Sequence, residues 1–588
     1  MYIKTIEIKN FRNFSDFNIH FTKGFQTIVG ENNIGKSNLF WAIRLVLDKD
    51  LSYSYRKLEE KDFSNFPKLN INSFISISVE LYGEDLADLP NFHILKTTTN
   101  TLRVSYIFAH KSKISTIEED FEEVNIKDFR WQLYGGGDSF SLDSTEVLNS
   151  ISLNDINGIN LYYISGFRDI KNDLFGNTKS LLTSFCNTRE NFEEESNKIK
   201  AVYSKATKDL NKFTFIPEIK KSIQDKTEEI SGEHFSVPIS LGFLSEEDSN
   251  VWNKLKIYFS PNEDKNIPIN SLGLGQKNLL YLSLYLSKLI NSEDENEINV
   301  VLIEEPEAHL HPQLQKILFT NLKDLGNTQV FMSSHSTHIA SDCDYKNLNI
   351  VYKNTSNVTK SFSPFNKIKS KKNDERKEKL LKRYLDATRS ELFFSSGVIL
   401  VEGVAEQFII PAIAKQKFKY NLTEFNISLV PIHSRYFDPF LELFQNNRFE
   451  IKACAIIDGD SGEHEQGEST TSVENARSLE INDRVKVFEG GDTLEIDLFP
   501  DKETNKEYLK NCFYNLGHKN SYENLIASDP ENWKEEIIKR IDNTIKKGRF
   551  AQELSLLIDE KFIVPKYIKK SLSFMLAEII KKRKDESK

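Results

Sequence analysis

The 588-residue chain lacks several features that would place it in a common class. Its four cysteines, at positions 186, 343, 454 and 512, lie far apart and form no CxxC pair, so neither a zinc site nor a disulfide framework is predicted. No stretch approaches the ~18 apolar residues of a membrane span, and the first residues lack the apolar core of a signal peptide. We therefore expect a cytoplasmic protein with reduced thiols and no membrane contact.

An excess of positive charge is also missing. The chain has 77 Lys and Arg against 87 Asp and Glu, a net charge of −10, which excludes a globally basic coat protein for nucleic acids. Any contact with DNA must come from local basic patches or from bound metal. The composition, 39% hydrophobic and 28% charged, is that of a globular protein, and the length predicts about two to four domains.

A glycine-rich loop follows the first buried strand pattern. The segment GENNIGKS at 30–37 fits the phosphate-binding pattern GxxxxGK[ST] and opens a helical pattern, which distinguishes it from a chance glycine loop. Its backbone N–H groups and lysine suit the phosphates of ATP, and its serine suits magnesium. The predicted nucleotide-binding residues of this segment are Asn32, Asn33, Gly35, Lys36, Ser37 and Asn38.

An acidic pair follows a second buried strand pattern, VVLI at 300–303. Glu304 is predicted to join the magnesium shell and Glu305 to polarise the attacking water. Most such NTPases have Asp-Glu here, so Glu-Glu is a departure, although the longer side chain still reaches a metal through water. His335 follows the next strand pattern and is either structural or a sensor of the γ-phosphate.

A third segment, SLGLGQK at 271–277, precedes an apolar helical pattern. Ser271 and its glycines would form an anion-binding helix start. The segment resembles the signature loop of ABC-type ATPases, which completes the site of an opposite subunit and implies a head-to-head dimer with ATP between the subunits. A simple helix cap is the alternative interpretation.

Acidic residues follow two further strand patterns in the C-terminal half. Glu402 comes directly after the strand pattern at 397–401, Glu406 lies one helical turn later, and Asp458 and Asp460 end the pattern at 452–457. With Glu495, these hard oxygen ligands favour Mg²⁺ or Mn²⁺. Two such metals would support phosphodiester cleavage, and Lys547 would neutralise the scissile phosphate. Each acidic residue alone is more often surface charge, and Glu495 and Lys547 have the weakest support from the residues themselves.

The motifs together resemble the OLD (overcoming lysogenisation defect) family over nearly the whole chain. The resemblance rests on IKNFRNF at 8–14, the loop at 30–37, IEEPEAHLHP at 303–312, LVEGVAE at 400–406, DGD at 458–460, TLE at 493–495 and KGRFA at 547–551. It implies an α/β chain with an ABC-type ATPase, related to RecF and SMC heads, followed by a Toprim nuclease domain. In the family the matching acidic residues hold two metals and the matching lysine aids catalysis; some relatives carry Asp at the position of Glu406.

The resemblance also orders the domains. We expect the ATPase at 1–180 and 236–366, a helical insertion at 181–235, a linker at 367–390 and the Toprim domain with its C-terminal helices at 391–588. The charged insertion is either a solvated arm or the dimerisation device of the family, which implies a homodimer or a dimer of dimers. The nuclease subunits of Gabija anti-phage systems belong to this family, so the resemblance also suggests a UvrD-like helicase partner.

Two functions remain open at this stage. The first is an ATP-regulated, metal-dependent DNA endonuclease of bacterial defence. The second is a RecF- or SMC-like ATPase scaffold that binds DNA through a degenerate C-terminal domain, which the full set of acidic positions argues against. A topoisomerase would need more chain for a strand-gating domain, and a primase would usually bring a zinc module that the cysteines exclude.

Overall fold

The structure is a computed structural model, which describes residues 1–64, 68–84, 90–114, 124–137, 149–166, 191–210, 212–213, 217–218, 221, 258–259, 267–268, 271–290, 297–308, 310–323, 328–364, 389–433, 436–459, 468–528 and 530–586. The chain forms two units. Met1–Ile164, Ile298–Glu305 and Pro312–Lys588 make up the first, and Ser165–Glu297 with Pro306–His311 make up the second.

The first unit begins with an antiparallel sheet of seven strands. In spatial order its path is β2-β1-β4-β6-β7-β8, with β5 paired to β6. The strands are β1 (Tyr2–Phe11), β2 (Phe14–His20), β4 (Phe74–Tyr82), β5 (Lys96–Thr98), β6 (Thr101–His110), β7 (Phe129–Gly135) and β8 (Asn149–Ile151). Their apolar side chains alternate toward helix α1 (Lys36–Leu47) and form one buried core with it.

A mostly parallel sheet of six strands carries the predicted ATPase motifs. Its order is β15-β14-β3-β13-β12-β9, and only β15 runs antiparallel. The strands are β3 (Gln26–Val29), β9 (Ile159–Ile164), β12 (Ile298–Glu304), β13 (Gln329–Ser334), β14 (Leu348–Lys353) and β15 (Thr359–Phe362). β13 and all of β12 except Glu304 are buried, as expected for parallel strands whose two faces are both covered. Short helices α2 (Tyr53–Arg56) and α3 (Lys111–Ile114) and the longer α6 (Pro312–Leu322) and α7 (Thr337–Asp342) complete this region.

The second unit contains the described part of the predicted insertion. Helix α4 (Phe192–Leu210) opens with three glutamates, and Val202 on it is 68% exposed. A two-stranded ladder of β10 (Tyr258–Phe259) and β11 (Ile267–Pro268) and helix α5 (Leu274–Ile290) follow. Residues 181–190, 211, 214–216, 219–220 and 222–235 of the insertion and 367–388 of the predicted linker lie outside the described residues. The domain boundaries stay a prediction.

A four-stranded parallel sheet forms the C-terminal part of the first unit. Its order is β17-β16-β18-β19, with β16 (Gly397–Val401), β17 (Ile427–Pro431), β18 (Lys452–Ile457) and β19 (Val485–Glu489). The helices are α8 (Val404–Lys417), α9 (Asp438–Leu441), α10 (Glu468–Arg477), α11 (Leu494–Leu498), α12 (Lys506–Asn515), α13 (Lys519–Ala527), α14 (Trp533–Lys539), α15 (Lys547–Leu557) and α16 (Lys566–Glu586). Within the described ranges, no helix is both long and apolar enough to cross a membrane.

Candidate nucleotide and metal sites

Backbone geometry fixes the phosphate-binding loop between β3 and α1. Gly30 and Gly35 have φ angles of 157° and 112°, which L side chains rarely adopt. A Cβ on Gly30 would lie 2.2 Å from the Val351 carbonyl oxygen, and one on Gly35 would lie 2.1 Å from the Asn13 side-chain amide nitrogen. The glycines are therefore required by close packing as well as by conformation.

The loop lysine is held by carbonyl oxygens at the edge of the sheet. Lys36 is buried, and its Nζ donates at 2.8 Å to the backbone oxygens of both Gly30 and Glu31. His335 Nδ1 lies 3.2 Å from the same Nζ, and its Nε2 lies 2.8 Å from Glu305 Oε1. Burial and the nearby Lys36 lower the pKa of His335, although Glu305 opposes them, so the imidazole is neutral at pH 7.

A loop between β1 and β2 braces the start of α1. The Asn38 side chain accepts a hydrogen bond from Arg12 at 2.9 Å and donates one to Asn13 at 2.7 Å. Asn13 in turn donates to the backbone oxygen of Ile34 at 2.7 Å. The predicted nucleotide residue Asn38 thus also supports the loop, a role that the sequence pattern did not indicate.

The acidic pair lies at the end of β12, as predicted. Glu304 pairs with Ser333 across the β12–β13 ladder and interacts with the Tyr163 hydroxyl, whose pKa is raised by burial and by this carboxylate. Glu305 has a φ of 43°, an unfavourable conformation for a side chain of its size. Such local strain is concentrated at functional positions, which supports the predicted catalytic role.

The loop, Glu305 and His335, but not Glu304, line one cavity of about 730 Å³, called the nucleotide pocket below. Its lining includes the predicted residues Asn32, Asn33, Gly35, Lys36, Ser37, Asn38, Glu305 and His335. Several backbone donors, one ammonium and a hydroxyl fit a magnesium-bound triphosphate. Ser271 belongs to the second unit, where it is exposed and precedes α5.

In the C-terminal sheet, the ends of two neighbouring strands bring the first acidic residues together. β16 and β18 are adjacent and parallel, so their carboxyl ends meet at one edge. Glu402 Oε1 accepts a hydrogen bond from the Asp458 backbone N–H at 3.1 Å. The sheet therefore places two predicted metal ligands, 56 residues apart in sequence, side by side.

Close approach of two glycines sets the position of Asp458. A Cβ on Gly459 would lie 2.2 Å from the Gly490 carbonyl oxygen, so the turn after β18 packs directly on the turn after β19. The Gly459 N–H also donates to the Asp492 carbonyl oxygen at 3.1 Å. Asp458 Oδ2 then accepts from the Leu494 N–H, at the start of α11, at 3.3 Å.

The remaining predicted metal ligands and the predicted catalytic lysine lie at the starts of helices. Glu406 and Glu495 are 5% and 4% exposed, in the first turns of α8 and α11. Lys547, the first residue of α15, has its Nζ 3.3 Å from Glu495 Oε2 and 3.8 Å from Asp542 Oδ1. Burial lowers its pKa, but the surrounding carboxylates outweigh this effect and the pKa is raised, so Lys547 is charged.

One cavity of about 360 Å³, called the acidic pocket below, joins these side chains. Burial raises the pKa of Asp458 to about 9 and that of Glu406 to about 7, and repulsion between the carboxylates adds to both shifts. A divalent cation among such hard oxygen donors would relieve this repulsion. The donor set therefore fits magnesium or manganese.

The full ligand set remains a prediction. As placed in the described parts of the chain, no three Asp, Glu, His or Cys side chains already form a group that could hold a metal ion. Asp460, predicted beside Asp458, lies outside the described residues. Metal binding would draw the carboxylates of the acidic pocket together.

Two residues of this region were not predicted from the sequence. His433, which follows β17, lines the acidic pocket with a φ of 48°. Tyr567, near the start of α16, is buried, and burial followed by the charge of Asp458 raises its pKa. The position of His433 after a strand pattern was a usable signal, whereas that of Tyr567 depends on packing of a distant helix.

Comparison with known families matches both parts of the chain. The model of the AAA ATPase domain matches residues 1–340, and the model of the overcoming lysogenization defect protein-like TOPRIM domain matches residues 393–460. The predicted fold class, an α/β P-loop ATPase followed by a Toprim domain, is confirmed.

Several relatives match both parts together. Endonuclease GajA of Bacillus cereus (strain HuB5-5) is 26% identical over 547 residues, which cover 78% of this chain and 77% of that protein. GajA of strain VD045 is 27% identical over 416 residues, covering 70% and 67%. The OLD nuclease of Thermus scotoductus is 24% identical over 413 residues, covering 69% and 72%. The chain therefore belongs to the AAA ATPase domain family, carries an OLD-like Toprim domain and is homologous to endonuclease GajA and to OLD nuclease.

Proposed function

We propose that the protein is an ATP-binding, divalent-metal-dependent DNA endonuclease of bacterial anti-phage defence. The observation that carries this proposal is the acidic pocket, in which carboxylates from β16, β18, α8 and α11 face one lysine. Relatives named endonuclease GajA and OLD nuclease support the reaction type, and the GajA name supports a defence role of the Gabija kind.

The chemistry follows from the side chains present. Glu402, Glu406, Asp458 and Glu495, with Asp460, would hold one or two Mg²⁺ or Mn²⁺ ions, which supply activation of water and stabilisation of the leaving oxygen. Lys547 donates to Glu495 and remains charged, so it offsets negative charge on the scissile phosphate.

In the nucleotide pocket, the loop and Lys36 would hold the phosphates of ATP while Ser37 and Glu304 hold its magnesium. Glu305 orients and polarises the water that attacks the γ-phosphate. Neutral His335, already within hydrogen-bond distance of Glu305, would report the presence of that phosphate. We assign Ser271 to the signature loop that completes the pocket of an opposite subunit.

A side chain of the phosphate-binding loop contacts the nuclease part directly. Glu31 accepts hydrogen bonds from Ser396 Oγ at 2.8 Å and from the Asn426 side chain. Its backbone oxygen accepts from Lys36. A triphosphate that draws Lys36 away would therefore shift the residue that holds Ser396 and Asn426.

These contacts provide a route for regulation. Ser396 and Asn426 immediately precede β16 and β17, and the residue directly after β16 is Glu402 of the acidic pocket. A rigid strand transmits a small displacement along its length. The nucleotide state would thus regulate the nuclease site through β16.

The regulation can be tested by removing the two contacts to Glu31. Ser396→Ala/Asn426→Gly deletes both donors, and glycine suits the left-handed φ of 52° at Asn426. We expect ATP affinity to be unchanged and cleavage to lose its response to ATP. The matched control is Ser478→Ala/Asn447→Gly, since Asn447 has a similar φ of 59°. A full ATP response in the first variant would refute this route.

The remaining assignments complete the proposal. The domain boundaries are those expected from the sequence, with dimerisation through 181–235 into a homodimer or a dimer of dimers. A UvrD-like helicase is the proposed partner and the cytoplasm the proposed site of action, where invading DNA is encountered.

A plasmid assay tests the nuclease function. The wild-type protein should nick or linearise plasmid DNA with Mg²⁺ or Mn²⁺, and Asp458→Asn should reduce cleavage to background. Mg²⁺ should also raise the melting temperature of the wild-type protein by a few °C and have no such effect on Asp458→Asn. The control Asp483→Asn removes an exposed carboxylate of the same sheet. Undiminished cleavage by Asp458→Asn would show that the acidic pocket is not the nuclease site, whereas no cleavage by the wild-type protein would contradict the nuclease proposal and leave an ATP-dependent scaffold.

A further inference from the structure

A basic groove runs along the outer edge of the C-terminal sheet. It lies between α16 and β19, which is the edge strand of the sheet, and has a volume of about 700 Å³. Its lining, called the edge groove below, consists of Lys486, Phe488, Lys566, Lys569, Lys570, Ser573 and Phe574. None of these residues belongs to the motifs used above.

The groove concentrates positive charge in an acidic protein. Lys566, Lys569 and Lys570 are exposed, and with Lys486 they form no ion pair with another described residue. Over its whole length, helix α16 has seven Lys and Arg against three Asp and Glu, although the chain has a net charge of −10. Such a local reversal of charge is typical of a surface that binds phosphates.

The floor of the groove is aromatic. Phe488 and Phe574 are half-buried, and their ring centroids lie 5.9 Å apart. The Lys452 ammonium lies 4.8 Å from the centroid of the Phe574 ring. Lysines around partly accessible aromatic rings are the combination that proteins use to follow a nucleic-acid strand, because the cations contact phosphates and the rings contact bases or sugars.

The groove begins beside the acidic pocket. Lys566 precedes Tyr567, whose ring lies against Gly490 in the turn after β19, and this turn packs on Gly459, the residue after Asp458. From there α16 runs toward the opposite ends of the strands, where Phe574 lies beside Lys452, the first residue of β18. The eight helical steps from Lys566 to Phe574 span about 12 Å, the axial length of three or four nucleotides of one B-DNA strand at ~3.4 Å each.

We propose that the edge groove binds the DNA strand that flanks the cleaved phosphodiester bond. This inference rests on the proposed nuclease function and adds the path of the substrate beyond the acidic pocket. The lysines hold successive phosphates and the two phenylalanines support the sugars or bases between them. The groove thereby gives an acidic protein its affinity for DNA.

The test compares two triple substitutions in the full chain. Lys566→Gln/Lys569→Gln/Lys570→Gln removes three charges from the groove, and the control Lys506→Gln/Lys510→Gln/Lys519→Gln removes three from α12 and α13. Binding of a fluorescent DNA duplex, and of its single strand, is measured against salt in the Asp458→Asn background. The groove variant should lower the slope of log Kd against log salt by about 2 to 3, at ~0.9 per lost phosphate contact on duplex DNA. The control should change it by less than about 1.

A second pair of variants changes Ser573, an exposed residue of the edge groove. Ser573→Asp places a negative charge in the groove and should weaken binding, whereas Ser573→Asn should not. Equal DNA binding by Ser573→Asp and Ser573→Asn would overturn the inference. An unchanged slope of log Kd against log salt in the groove variant, or binding of a protein partner instead of DNA at this groove, would do the same.

Parallel cleavage assays in the wild-type background separate the two proposals. If the wild-type protein cleaves DNA and the groove variant keeps its salt slope, only the groove inference fails. If the groove variant lowers the slope of log Kd against log salt but the wild-type protein never cleaves, the edge groove remains a DNA-binding surface and the nuclease function fails. If the chain binds no DNA, the groove inference fails as well.

Discussion

The nucleotide pocket and the acidic pocket balance their charges in different ways. In the nucleotide pocket, Lys36 lies among backbone oxygens and beside His335, which is paired with Glu305. In the acidic pocket, four carboxylates share one lysine, and mutual repulsion helps to raise the pKa values of two of them. The first pocket is electrostatically balanced by its own residues, whereas in the second an added cation would relieve the repulsion.

The two pockets also differ in how the chain builds them. Most of the nucleotide pocket comes from one continuous loop, whose shape is fixed by backbone conformation. The acidic pocket joins the starts of three helices to the ends of two strands. Its geometry therefore depends on long-range packing, and small changes in packing should affect it more.

Lys547→Met should have the largest effect, because it removes the cation that faces the carboxylates of the acidic pocket. We expect DNA cleavage to fall by about 10²- to 10³-fold, the usual loss when one electrostatic group for the transition state is removed. This loss is measured by comparing the cleavage rates of the two proteins on gels at a saturating metal concentration.

The matched control is Lys539→Met, on the neighbouring α14, where the lysine side chain is 69% exposed. Equal rates for Lys547→Met and the wild-type protein would mean that the acidic pocket does not use this lysine.

Lys36→Ala removes the corresponding cation of the nucleotide pocket, and we expect the affinity for ATP to fall. Loss of charge-assisted hydrogen bonds to phosphate, at about 1.5–3 kcal/mol, weakens ATP binding by about 10- to 100-fold. Titration with a fluorescent ATP analogue measures it, with the exposed Lys23→Ala as control. An unchanged Kd would show that the loop does not hold the phosphates.

Gly459→Ala tests the dependence of the acidic pocket on packing. The added methyl group would meet the Gly490 carbonyl oxygen, so we expect unfolding to become easier by about 1–3 kcal/mol and cleavage to weaken as Asp458 moves. Thermal denaturation measures the change in stability, and cleavage assays measure the change in the rate of DNA cleavage.

Gly273→Ala is the control, because its Cβ would meet no heavy atom within 4 Å. If both substitutions had the same small effect, the contact between the two turns would not be what positions Asp458.

The sequence predicted the parts of the fold that depend on local pattern. The loop at 30–37, the apolar strand before Glu304 and the strand before Glu402 each combine a buried run with a turn, and these features need no knowledge of the rest of the chain. The contact between Glu402 and Asp458 was also predictable, because parallel neighbouring strands end at one edge.

Other features could not be predicted because they depend on distant packing. The contact of Tyr567 with Gly490 and the contact of Glu31 with Asn426 join residues far apart in sequence. The bracing of Asn38 by Arg12 depends on how a hairpin folds over α1. No spacing or periodicity in the chain encodes these contacts.

Helix α16 has a consequence for protein synthesis. Tyr567 at its start packs against Gly490 in the turn after β19, and Met575 farther along lies against Gly397 at the beginning of β16. The ribosome makes this helix after the other described helices and strands of the C-terminal sheet. A nascent chain that still lacks α16 would therefore leave the turn after β19 and the start of β16 without the side chains that pack against them.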